Sequence, residues 1–271
     1  MSLIVRWRLH PLHLYLVCSY LGLDDLTLPL EGPAYGRTRR QLGEVAQLEA
    51  GTLRKLGILV DDEVPAELAR ALRVLTKPYL WVDSLWFPEF GGDAAWRTVA
   101  ALTDGGRVVL GVQEPGETGR FGGTLTVEVH EKAGLSEVLL ATLPPAPPGN
   151  RGRAQVPESS LRADAEPPQA GFLREVVAAR GSGGDRLVEL YRRIGTDAHV
   201  RAGQFAASIR EPDGRRRRSA VVRWFDNAEP DGRYLDHHER GATGERMHSL
   251  TPADARAVRG QIDTLIASIR G

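Results

Sequence analysis

Gly203-Gln204-Phe205-Ala206, then Asp213-Gly214-Arg215-Arg216-Arg217-Arg218, then Val221-Val222-Arg223-Trp224-Phe225-Asp226, then Asp231-Gly232-Arg233-Tyr234: this stretch decides the fold. Its apolar and aromatic runs suit strands. Asp213-Gly214 and Asp231-Gly232 are hairpin-turn dipeptides between them. Strands joined by tight turns pair antiparallel. The run Arg217–Asp226 carries apolar side chains at both parities, so the sheet it enters is covered by helices on both sides, at least in part.

Outward from there the same grammar recurs. Downstream, Arg233–His238 and Glu245–Leu250 read as two more strands. A last helix follows, with Thr251 as N-cap, Pro252 in the first turn and an apolar stripe of Ala255, Val258, Ile262, Leu265 and Ile269. Upstream, Gly171–Ala179 and Asp185–Ile194 read as helices that precede the strand Val200–Arg210. The first half offers a short strand Leu3–Arg8 and helices Pro11–Leu21, Thr38–Leu56 and Pro65–Thr76. Strands Tyr79–Phe87, Ala94–Leu102, Val108–Gln113 and Thr124–His130 follow, then a helix Leu135–Leu143. Helices, four strands, a helix, then the same again: the reading is one α+β domain over residues 1–271. It has a central antiparallel sheet flanked by helical bundles and two pseudo-symmetric halves, 1–148 and 169–271. The Pro/Gly-rich stretch 144–168 joins them as a mobile linker, in which Arg153–Pro157 has the pattern of an edge segment.

Composition bounds the function. Lys+Arg and Asp+Glu both total 35, for a net charge of zero, which argues against a general polyanion binder. Cys18 is the one cysteine, so no intrachain disulfide forms, in keeping with a reducing cytoplasm. The apolar run Pro11–Leu23 after Arg6 and Arg8 imitates a signal peptide. His10, His13 and Asp24-Asp25 interrupt or close it, and no small-x-small site follows. No stretch reaches the ~20 apolar residues of a membrane span.

No motif announces chemistry. Adjacent strand residues point to opposite faces, so His237 and His238 do not share a metal ion, and no HExxH or second cysteine is present. Gly181-Ser182-Gly183-Gly184 lacks the lysine of a phosphate-binding loop, and Ser159, Ser160 and Ser182 lack a nucleophile elbow. No catalytic residue, cofactor or metal is therefore assigned. Arg215–Arg218 reads either as a nucleic-acid patch or, more blandly, as a solvated hairpin tip. The five tryptophans, Trp7, Trp81, Trp86, Trp96 and Trp224, read as core. Phe87-Pro88-Glu89-Phe90-Gly91-Gly92 puts two phenylalanines in a loop, where core packing gives little reason for them.

The order and spacing of the opening stretch resemble the EspG family, the cytosolic chaperones of actinobacterial ESX (type VII) secretion systems. Weaker parallels lie at Leu28-Pro29-Leu30, Gly36-Arg37-Thr38 and Leu143–Gly149. The resemblance implies a non-catalytic chaperone in the cytoplasm that grips the hydrophobic tip of a PPE-like helical substrate, as a PE–PPE heterodimer, and keeps it soluble for export. It implies a binding surface made of one sheet face, the C-terminal helices and a loop between early strands. The candidate contact residues are Phe87 and Phe90 in that loop, Gln204, Arg223, Phe225 and Tyr234 on the C-terminal strands, and Gln261 and Thr264 on the polar side of the last helix. Core roles compete for Phe225 and Tyr234. The alternatives are a small-molecule enzyme with a cleft between the halves and a nucleic-acid binder through Arg215–Arg218. An uncapped sheet face also permits a homodimer.

Overall fold

A computed structural model describes residues 2–32, 38–118, 121–162, 183–242 and 244–270. The expected helix Gly171–Ala179 lies outside them. In chain order the elements are β1 (Ser2–Leu9), α1 (Pro11–Leu21), α2 (Arg39–Lys55), α3 (Ala66–Thr76), β2 (Leu80–Phe87), β3 (Trp96–Leu102), β4 (Val108–Pro115), β5 (Gly122–Glu131) and α4 (Leu135–Leu140). Then come β6 (Ala154–Pro157), α5 (Glu158–Arg162), α6 (Gly183–Thr196), β7 (His199–Arg210), β8 (Arg216–Arg218), β9 (Val222–Asn227), β10 (Arg233–Arg240), β11 (Arg246–Pro252) and α7 (Ala255–Arg270).

The 11 strands form one sheet in the order β1-β5-β4-β3-β2-β7-β9-β10-β11-β6, with β8 also on β7. The named strand pairs are all antiparallel. The sheet has a seam, β2 against β7, with Leu80 opposite Ile209 and Phe87 opposite Ala202. Each arm runs outward from the seam through consecutive hairpin strands and ends on the strand that opens its half, β1 or β6. Arg217–Asp226, read as one strand, is two: Ser219, Ala220 and Val221 break it between β8 and β9.

Period-two alternation sorts the side chains onto two faces. On one, Leu80, Val82 and Trp86 of β2 and Phe205, Ala207 and Ile209 of β7 pack with Val222 and Trp224 under α4 and α7. On the other, α1, α2 and α3 cover the first arm through Leu14, Val17, Leu53, Leu68, Leu72 and Leu75, against Trp81, Val99, Val109 and Val127. Over the second arm Ile194 of α6 packs on Tyr234, Leu250 and Ala154. Among the described residues the seam on this second face is left between the two helical groups. We call it the split face.

Close approach fixes the seam. A Cβ on Gly203 would meet Trp86 Cβ at 2.5 Å and the Trp224 ring at 2.8 Å, so only glycine lets these two indoles close over β7. Trp7, Trp81, Trp86 and Trp224 are buried, and Trp96 stacks half-buried on Trp86 at 5.8 Å.

Three local expectations need correction. The last helix is capped not by Thr251 but by Asp254: Thr251 and Pro252 finish β11, and Asp254 Oδ1 accepts from Ala257 N at 2.8 Å. The described part of the Pro/Gly-rich stretch is built in rather than loose. Pro147 O accepts from Arg233 N, Gly149 N donates to Arg233 O, and the carbonyls of Pro144 and Pro145 accept from the guanidiniums of Arg233 and Arg201. Both arginines converge on the buried Asp226. Within the same stretch Ala154–Pro157 is β6, paired along β11, so the second arm of the sheet opens at Ala154 and not after residue 168.

Candidate functional site

The four-arginine run is where a nucleic-acid patch would lie, and each of its charges is already engaged. Arg215 binds Asp213 and Arg217 binds Glu211 at the hairpin end. Arg216 and Arg218 fold back over the small Ala206 and Ser208 onto the split face. Arg216 lies over the Trp81 ring, 4.8 Å from its centre. Arg218 grips the buried Asp83 of β2 through two hydrogen bonds, 2.6 and 2.8 Å. That carboxylate raises the guanidinium's pKa through its hydrogen bond, against burial. The tip is therefore only half solvated: two of the arginines close one end of the split face with a pair of cross-strand clamps.

At the other end the split face turns apolar. Leu85 and Phe87 of β2 are half-buried there. They line an open recess of about 520 Å³ with Leu28, Pro29, Ala95 and Arg97. Leu28 is 69% exposed. Arg97 is buried and held by Glu31 at 3.3 Å. Phe87 closes β2, so only Phe90 of the two phenylalanines belongs to the loop proper. The loop is pinned by Phe90 N donating to Val200 O at 2.9 Å, and the Phe90 ring remains 53% exposed.

Phe90 does not stand alone. Its ring meets His199 edge-on at 4.7 Å, His199 meets Phe225 at 4.5 Å, and Phe225 stacks on Tyr234 at 5.8 Å. This aromatic series descends from the exposed loop into the core. His199 is the member that sequence reasoning missed. Its ring is fixed by Asn227 Oδ1 at 2.7 Å. The only sequence signal was its place at the head of β7, opposite the strand that carries Phe225.

Gln204, Arg223 and Phe225 fall on this same face, in adjacent rungs of β7 and β9. Arg223 is exposed, and Asp236 of β10 stands directly opposite it. Tyr234 shares the face but not the surface, which corrects the expectation that it contacts a partner. It is fully buried, its hydroxyl donates to Asp231 at 3.0 Å and accepts from Arg151 N, and burial pushes its pKa up to about 12. A Cβ on Gly149 would lie 2.0 Å from its ring, so the connector closes over it.

Gln261 and Thr264 are also separated from the rest. They lie on α7, whose Val258, Ile262 and Leu265 are buried with Phe205 and Trp224 on the α4–α7 side of the sheet. The predicted contacts thus divide between two opposite faces, with the sheet between them. Thr264 Oγ1 is used within its own helix, donating to Gly260 O.

The histidines behave as their alternation requires. His237 stands opposite Ser249 and His238 opposite His248, on opposite faces. Among the described residues no group of three or more His, Cys, Asp or Glu is arranged to hold a metal. A recess of about 800 Å³ lies at the outer end of the first arm, against His10, Glu31, Glu114 and Phe121, away from the seam. No helix of the described residues is long and apolar enough to cross a membrane.

The chain is similar in fold to the Mycobacterium tuberculosis type VII secretion system chaperone EspG5, solved in complex with the PE25–PPE41 dimer. The TM-score is 0.65 at 16% identity, over 98% of this chain and 97% of that one. The comparison with curated proteins gives no match. The family described as EspG matches residues 10–264, almost the whole length, and the chain belongs to the EspG family.

Proposed function

We propose that the protein is a non-catalytic chaperone of a type VII (ESX) secretion system, acting in the cytoplasm. It holds the apolar tip of a PPE-like helical client on the split face of its sheet. The observation that carries the reading is the apolar end of that face: Leu28, Leu85, Phe87, Phe90 and Phe225, partly or largely exposed on a rigid scaffold, with Gln204 and Arg223 beside them.

Such surface is costly in a free protein and suits a partner that hides its own apolar tip there. EspG5, of the same fold, was solved with a PE–PPE dimer. Family membership supports the same class of partner for this chain. Aromatic anchors on a continuous hydrogen-bonded sheet hold a helical tip with little ordering cost, while polar neighbours fix its orientation.

Co-expression with each PE/PPE-like helical pair from the source genome, followed by co-purification, tests the proposal. A stoichiometric complex that solubilises an otherwise insoluble client is the expected result. Failure with every such pair overturns it.

A further inference from the structure

Beyond Phe225 the same side of the sheet continues across β9, β10 and β11 beside α6, whose Tyr191 packs edge-on against His248, and past that helix it becomes cationic. Asp236, His238 and Arg240 of β10 lie on this face, since they follow the buried Tyr234 at two-residue spacing. Opposite them on β9 and β11 stand Arg223, His248 and Arg246: Arg223 faces Asp236, His248 faces His238, and Arg246 faces Arg240. The two imidazoles are 4.3 Å apart.

This arrangement opposes the usual rule for sheets. Like charges directly across a strand pair destabilise it, because partners' Cβ atoms are only ~5 Å apart. Arg240 and Arg246 are such a pair, and both are exposed. Neither they nor Arg223 make a salt bridge or side-chain hydrogen bond among the described residues. Two carboxylates of the neighbouring rungs are committed elsewhere. Glu239 holds His237 and Gln155 on the other face, and Glu245 accepts from Ser159 N. Asp236 is the single acid in the stripe, and one of its carboxylate oxygens is buried without a partner.

We infer that this stripe is the electrostatic half of the client surface and docks an acidic segment of the helical client. The inference rests on the chaperone reading. The stripe shares Arg223 with the apolar end, so one client can cover both. From the Asp236 rung to the Arg240 rung is ~14 Å at ~3.4 Å per residue, the length of about nine helical residues. Carboxylates three or four residues apart on a helix are ~5–6 Å apart, close to the ~7 Å between same-face rungs. The fitting segment is therefore two to three turns of helix with two or three acids on one side, next to the apolar tip. A chain of zero net charge that leaves Arg223, Arg240 and Arg246 without an ion pair among the described residues, while three of the four arginines at Arg215–Arg218 are ion-paired, is selecting a local acidic surface rather than a long polyanion.

The test is titration of the intact protein with its co-purifying client pair at 50 and 300 mM NaCl. Wild type is expected to bind at least fivefold more weakly at the higher salt. Arg240→Glu with Arg246→Glu is expected to lose tenfold or more at 50 mM. Arg246→Gln alone, which relieves the like-charge pair and so does not threaten folding, is expected to lose about threefold. Glu→Lys changes in the client's acidic segment are expected to restore the reversed variant. A complex whose affinity ignores both salt and these substitutions overturns the stripe and leaves the chaperone reading standing. No complex at all overturns both. A single-stranded 20-nucleotide DNA that binds at 50 mM and is lost in the double variant, while client binding is unchanged, also overturns the inference and assigns the stripe to nucleic acid.

Discussion

Arg218 and Asp83 join the two arms of the sheet. The guanidinium, on the short strand β8, reaches across β7 to both carboxylate oxygens of a residue in β2, 135 positions earlier in the chain. Asp83 is buried, and Arg218 keeps about a third of its side chain exposed. Removing the arginine leaves a carboxylate in the sheet without its counterion, and removing the carboxylate frees an arginine that still has access to water. The two truncations are therefore unequal. Arg218→Ala is expected to cost about 3 kcal/mol and Asp83→Ala less, with a coupling of roughly 1–3 kcal/mol in the double-mutant cycle. Urea unfolding of the four proteins checks this. Equal single effects with no coupling would show that the clamp is ornamental.

Gly203 and the indoles above it give a steric prediction. Gly203→Ala places a methyl against Trp86 and Trp224, which the packed α4–α7 side has little freedom to move. The expected cost is about 1–3 kcal/mol from overpacking. It should appear as a lower midpoint with an unchanged slope in denaturant. A stabilised variant would mean that the indoles shift freely.

Tyr234→Phe separates stability from recognition. The change deletes the hydroxyl between Asp231 and the Arg151 amide, at an expected cost of about 1–3 kcal/mol. Client affinity should be unchanged below the melting temperature, because the ring is wholly buried.

His238 makes stability depend on pH. Burial first, and then His248, hold His238 below its ordinary value of 6.5, with Arg246 and Arg223 acting in the same direction and Asp236 against them. The unfolded chain therefore takes this proton before the folded one does. The contribution is present above pH 6.5 and is lost as pH falls through the folded value. The melting temperature should fall between pH 7.5 and pH 5.5, and fall less in His238→Gln. In His248→Gln the His238 titration, followed by NMR, should move upward. A His238 midpoint above 6.5 in the native protein would contradict this.

Much of the fold could be read from the sequence because strands and helices leave periodic marks. Thr124–His130 alternates cleanly, and α1 begins at Pro11 and ends at Leu21 as its punctuation suggests. The seam was not legible, since pairing between β2 and β7 joins residues more than a hundred positions apart. Nor was the face that each helix covers. The apolar stripe of α7 shows which side of that helix is buried, and says nothing about which side of the sheet buries it. Gln261 and Thr264 were therefore grouped with Gln204 and Arg223, although the sheet divides them. The connector misled for a related reason. Pro, Gly and Arg read as a mobile linker, yet here the proline carbonyls serve as acceptors for Arg201 and Arg233, whose positions only the folded sheet defines.

That division between faces supplies the most direct test of the central claim. We would measure, by calorimetry, the affinity of the co-purifying client for Phe90→Ser on the split face and for the pair Gln261→Glu, Thr264→Glu on α7. Loss of a half-exposed aromatic anchor is worth about 1.5–3 kcal/mol, roughly tenfold to a hundredfold in Kd. Phe90→Ser is expected to show that loss, and the α7 pair to keep wild-type affinity. Abolition of binding by the α7 pair, with Phe90→Ser unaffected, would place the client on the opposite side of the sheet and contradict it.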